Sequence, residues 1–138
     1  MYEALPKNEK TFEIDVVGVD TGVQYQGTFT VRCILSMADR HAMEMEKTRL
    51  MADFAHPSGG LAGIATTLAS LRVKIIKGPP WWENSDGGTT IMDENAILAI
   101  YDACNKAEMD WRSALRKQAE EAAASKEKPK PVTAPTNE

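Results

Sequence analysis

His41 and Glu44 stand about one helical turn apart, a spacing at which two side chains on one helix face can share a metal ion. A first shell needs further ligands, and neither an acid cluster nor another histidine completes it: His56 falls beyond the end of the same helical pattern. The two cysteines, Cys33 and Cys104, lie far apart with no CxxC and no histidine at metal spacing. They are expected to be small, reduced core residues with no cue for a low-pKa thiolate. None of Ser36, Ser58, Ser70, Ser85 and Ser113 sits in a G-x-S-x-G setting. The Gly59-Gly60 pair has no lysine partner and no phosphate-loop pattern around it. Carboxylates are numerous but dispersed, so no acid/base pair stands out. The expectation is a protein without cofactor, metal or catalytic residues.

The strongest local signal is apolar. In Lys74–Gly88, KIIKGPPWWENSDGG, two prolines and two tryptophans stand together between an apolar run and a glycine-rich turn. Such a pair can stack a substrate, anchor a partner or plug a small core. Pro79 and Pro80 fix their own torsions and bias the residues before them toward extended geometry. Successive residues of an extended segment point opposite ways. One indole, Trp82 by its proximity to the following helix, is then expected in the core, and the other, Trp81, toward a neighbouring element or partner. The candidate partner-binding residues are Pro79, Pro80, Trp81 and Trp82, with Met45 and Tyr101. Stacking on nucleic acid is disfavoured because no basic groove accompanies the indoles.

Methionines weigh the same way. Met43 and Met51 fall at helical spacing and are expected in the core. Met37, Met45 and Met92 are left for an adaptable apolar surface.

These residues must be held by a modest scaffold. The chain of 138 residues is 43% hydrophobic and 26% charged, with a formal charge of −4. This favours one soluble domain and gives no field to recruit nucleic acid or an acidic membrane. No apolar run reaches the length of a membrane span, and the first ten residues lack the apolar centre of a secretory signal. A cytosolic protein is expected.

Alternation of Phe12, Ile14 and Val16 with Glu13 and Asp15 predicts a half-buried strand. Phe29, Val31 and Cys33 alternate in a second strand, and the short link makes an antiparallel hairpin. Gly27 inside it suggests a bulge or bend. From Ser36 the period becomes helical, with Ser36 and Asp39 as an N-cap and an acidic capping box. Met43, Leu50, Met51 and Phe54 form the stripe, and Pro57 ends the helix. Leu61, Ile64, Ala65 and Leu68 line a short second helix. Arg72–Lys77 reads as a third strand or as the stiff exit from the second helix, and Trp81–Gly88 as a loop. Asp93 caps a long helix carrying Ile97, Leu98, Ile100, Tyr101, Cys104, Trp111 and Leu115. Beyond Arg116 propensity alone keeps it helical. The fold class is α+β: a small antiparallel sheet, a hairpin plus one further strand, packed against three helices, the last one long. Residues 1–10 form an arm, 11–124 a single domain and 125–138 a disordered, polar, proline-rich tail.

From Thr11 to Arg112 the chain resembles the tail assembly chaperones of long-tailed bacteriophages. The resemblance lies in element order and in a proline followed by aromatics, a short polar loop, an acidic cap and a long helix. The matching residues are Pro80, Trp81, Trp82, Asp93, Asn95, Ile97, Leu98 and Tyr101. It implies a non-enzymatic protein of the host cytoplasm that binds and solubilises the tape-measure protein and helps recruit tail tube subunits. It also implies, for many members, a longer frameshifted form, for which the proline-rich tail would serve as linker. Self-association is open, and neither nucleic acid nor membrane is an expected partner. The competing expectation is a small structural protein of the virion, a neck, tail or decoration component.

Overall fold

A computed structural model describes residues 7–52 and 59–127. Its elements are β1 (Lys10–Val17), β2 (Gln24–Val31), α1 (Met37–Leu50), α2 (Gly59–Lys74), β3 (Ile75–Lys77), α3 (Pro80–Glu83) and α4 (Glu94–Glu127). The strands form one antiparallel sheet in the order β1-β2-β3. This is the expected α+β class, with four helices among the described residues rather than three.

The chain divides into two compact units. One spans Asn8–Glu108. The other is made from chain on either side of it, of which Lys7 and 109–127 are described. In the second unit the indole N–H of Trp111 donates to the Lys7 carbonyl at 3.0 Å. The helix from Arg116 to Ala124 is exposed, as a segment without an apolar face should be.

The first unit is built on the hairpin. Phe12 opposes Phe29, Ile14 opposes Gly27 and Val16 opposes Tyr25, so these residues share a face. That face meets Leu68 and Leu71 of α2, Ile75 of β3, Trp82 of α3, and Ile97, Ile100 and Cys104 of α4 in one apolar cluster. Phe12 and Phe29 stack with centroids 5.5 Å apart. The predicted bulge at Gly27 is absent, because the β1–β2 register runs through it without a shift. The irregularity lies between Thr30 and Val31, in the pairing with β3. Gly27 is small for another reason: a Cβ there would stand 2.5 Å from Cβ of Pro79. Strand β2 also stops at Val31, and Cys33, although fully buried, follows it.

Helix α1 starts as expected. Ser36 Oγ accepts from the Asp39 N–H, and the Asp39 carboxylate accepts from the Ser36 N–H, both at 3.1 Å. It ends at Leu50, and no residue of it is buried. Met43 is therefore half-buried, not core, and Met51 is the half-buried C-cap residue. Phe54 and Pro57 lie outside the described residues, as do His56 and the tail from residue 128 onward.

Trp81 and Trp82 do not alternate on an extended strand. Pro79 is extended at the N-cap position (φ −67°, ψ 165°) and Pro80 opens a helical turn. Proline suits that first position, where its missing N–H is not needed and its fixed φ is already helical. The Glu83 carboxylate reaches back to the Gly78 N–H at 2.8 Å and closes the turn.

Candidate functional site

The expected partner-binding motif is largely packed into the core. Trp82 is buried and Pro79 is buried over Gly27, while Pro80 is exposed. Trp82 packs edge-on against Phe29 with centroids 5.9 Å apart. Trp81 is half-buried, edge-on to Tyr25 and Phe29. Its indole N–H donates to the Gln26 carbonyl at 2.9 Å. Both indoles thus close the end of the sheet. Tyr101 is half-buried against the same core, and Met45 is exposed on α1.

An open apolar surface lies elsewhere in the same unit. A groove of about 480 Å³ runs between α2 and the start of α4. Leu68 and Ile97 form its floor. Ile64 (51% exposed), Met92 (77%) and Leu98 (45%) stand at its rim. Three glycines, Gly60, Gly63 and Gly88, line it where side chains would otherwise fill space. A Cβ on Gly63 would meet nothing within 4 Å. The Thr67 hydroxyl is occupied by the Gly63 carbonyl at 3.0 Å, so it adds little polarity to the wall. Among the described residues, Glu94 is the one ionisable residue lining the groove.

Both walls are held from behind. The Arg72 guanidinium of α2 bonds Glu46 of α1 at 2.9 Å and the Asp86 carbonyl at 2.5 Å. Its Nε is buried without a hydrogen-bond partner. The Arg49 hydrogen bond first, then the Arg49 and Arg72 charges, hold the Glu46 carboxyl below its ordinary range. Asp86, Gly87 and Gly88 all have positive φ, and this left-handed run turns the chain from α3 toward the groove.

The α4 wall is fixed by Asp93, which is fully buried. Its backbone carbonyl accepts from the Ala96 N–H at 3.1 Å. Its carboxylate does not serve the helix as the sequence suggested. It accepts instead from the Thr21 hydroxyl (2.5 Å), the Tyr25 hydroxyl (2.6 Å) and the Asp20 and Thr21 N–H groups (2.8 and 3.0 Å) at the hairpin turn. Those bonds, Thr21's hydroxyl foremost and then Tyr25's, hold its carboxyl down to about 2. Asn95 adds two more, accepting from the Val19 N–H and donating to the Val17 carbonyl, each at 3.0 Å.

Chemistry is otherwise sparse. Burial pushes the Cys104 thiol up to about 12 and raises Cys33 as well, opposite to what a nucleophile needs. His41 and Glu44 are exposed on α1, and among the described residues no three His, Cys, Asp or Glu gather to hold a metal. Among them, too, no helix is long and apolar enough to cross a membrane. No family model, curated protein or solved structure matches the chain.

The sequence pointed to Met92 as apolar surface, but not to the groove. Ile64 and Leu98 were expected in buried stripes and instead form its rim. The available signal was the pair Gly60 and Gly63, one turn apart beside Ile64.

Proposed function

We propose that this chain is a tail assembly chaperone of a long-tailed bacteriophage, a non-enzymatic protein of the host cytoplasm. In this reading it binds and solubilises the tape-measure protein and helps recruit tail tube subunits. The observation that carries the binding role is the α2–α4 groove, open, apolar and rimmed by Ile64, Met92 and Leu98. An apolar groove between helices suits the apolar stripe of an amphipathic helix. The flexible thioether of Met92 tolerates stripes of differing shape. That is what a long helical client with many similar segments requires. Glu94 favours segments carrying a lysine or arginine beside the stripe. The phage assignment itself is supported by the resemblance of Thr11–Arg112 to that family.

The test is co-expression with the tape-measure protein encoded beside this chain. Wild type raises the soluble fraction of the client. The double variant Ile64→Glu, Leu98→Glu changes two rim residues, keeps the fold and loses that effect. A client equally insoluble with and without the protein overturns the proposal. Recovery of the protein in stoichiometric amounts from purified particles does so too, in favour of a structural virion component.

A further inference from the structure

Among the described residues the sheet ends on β1, whose outer edge carries no strand. The register fixes which backbone groups lie there. Gly18 opposes Val23 and its N–H donates to the Val23 carbonyl at 2.8 Å. Bonding toward β2 then falls on every second residue, at Val16, Ile14, Phe12 and Lys10. Thr11, Glu13, Asp15 and Val17 turn their N–H and C=O groups away from β2. Val17 is already engaged, its carbonyl accepting from Asn95. Thr11, Glu13 and Asp15 remain, on a strand of eight residues with neither proline nor register shift.

Edge strands of this kind attract further strands unless guarded. Here the side chains of Glu13 and Asp15 lie two residues apart on the exposed face. Across the ladder they oppose Thr28 and Gln26, neither of them a cation. A second copy is the wrong occupant. An antiparallel two-fold pairing centred on Glu13, Ile14 or Asp15 sets carboxylate against carboxylate, which is destabilising. A strand with lysine or arginine at alternate positions meets both carboxylates at cross-strand distance.

We infer that the outer edge of β1 accepts an extended, cationic segment of a partner protein as a fourth strand, bonded to Thr11, Glu13 and Asp15. Main-chain bonds supply the pairing and the two carboxylates select the charge. This site is separate from the α2–α4 groove, so a client could engage both.

The test uses the full chain, isotope-labelled, with a capped peptide alternating lysine and valine and its glutamate counterpart. The lysine peptide slows amide exchange at Glu13 and Asp15 severalfold, the glutamate peptide does not, and added salt removes the effect. The double variant Glu13→Lys, Asp15→Lys, on the exposed face, reverses the preference. Should that variant fail to fold, the peptide comparison and salt dependence on wild type still decide. Unchanged exchange with the lysine peptide overturns the inference. So does equal slowing by both peptides, or a wild-type dimer protected at these same amides.

Discussion

Trp82 and Trp81 are adjacent, and their alanine variants should differ in degree. Trp82→Ala empties a buried site and costs ~3–5 kcal/mol. A small domain has roughly 5–15 kcal/mol in all, so this variant approaches unfolding in a denaturant titration. Trp81→Ala loses two edge-on ring contacts and the bond to Gln26, a milder change of roughly 1–3 kcal/mol. It does not melt like wild type, as a purely outward-facing indole would. That Trp82 is inward could be inferred from its place before the long helix. The geometry could not, because two prolines in a row point to a stiff extended chain, whereas Pro80 begins a helical turn. Asp93 makes a second prediction at this scale. Its carboxyl, ordinarily at 3.8, is held to about 2 in the fold. The carboxylate therefore stabilises the native state above about pH 4, and that contribution disappears as pH falls toward 2. Asp93→Asn should melt lower than wild type at neutral pH and show a flatter acid limb. Equal acid slopes would remove Asp93 from the account.

At the scale of elements, the hairpin, the Ser36 cap of α1 and a strand after α2 followed from period and capping residues, and the long α4 from its period alone. What the pattern could not give was how much of each helix a neighbour covers. A helical stripe names the residues that share a face, and burial then depends on what packs against that face. Helix α1 meets too little to bury any residue, and the α2–α4 rim opens because glycines replace side chains there. Glycine carries two opposite meanings in this fold. Gly27→Ala forces a Cβ to 2.5 Å from Pro79 and should destabilise by about 1–3 kcal/mol, lowering the denaturant midpoint. Gly63→Ala enters open space in a helix and should stabilise by about 0.5–1 kcal/mol. Because Gly63 lines the groove, the same change should weaken client binding. A more stable protein that binds less separates the groove's function from its contribution to the fold.

At the scale of the whole molecule, the compact unit Asn8–Glu108 closes its core with Trp82 and Trp81 and leaves an open apolar groove between α2 and α4. The sequence points to apolar contact rather than catalysis as this chain's chemistry. Of the two tryptophans it singled out, Trp82 is buried and Trp81 half-buried, because the fold uses large aromatics first to fill its core. The resemblance to tail assembly chaperones points to a client. In the proposed role, the segment that suits the groove is an amphipathic helix with a basic flank. The most direct measurement is a methyl NMR titration of the full chain with such a segment of the tape-measure protein. Saturable shifts should appear at the Ile64, Met92 and Leu98 methyls and weaken in Gly63→Ala. Absence of shifts, or shifts confined to methyls outside the α2–α4 groove, would contradict the assignment.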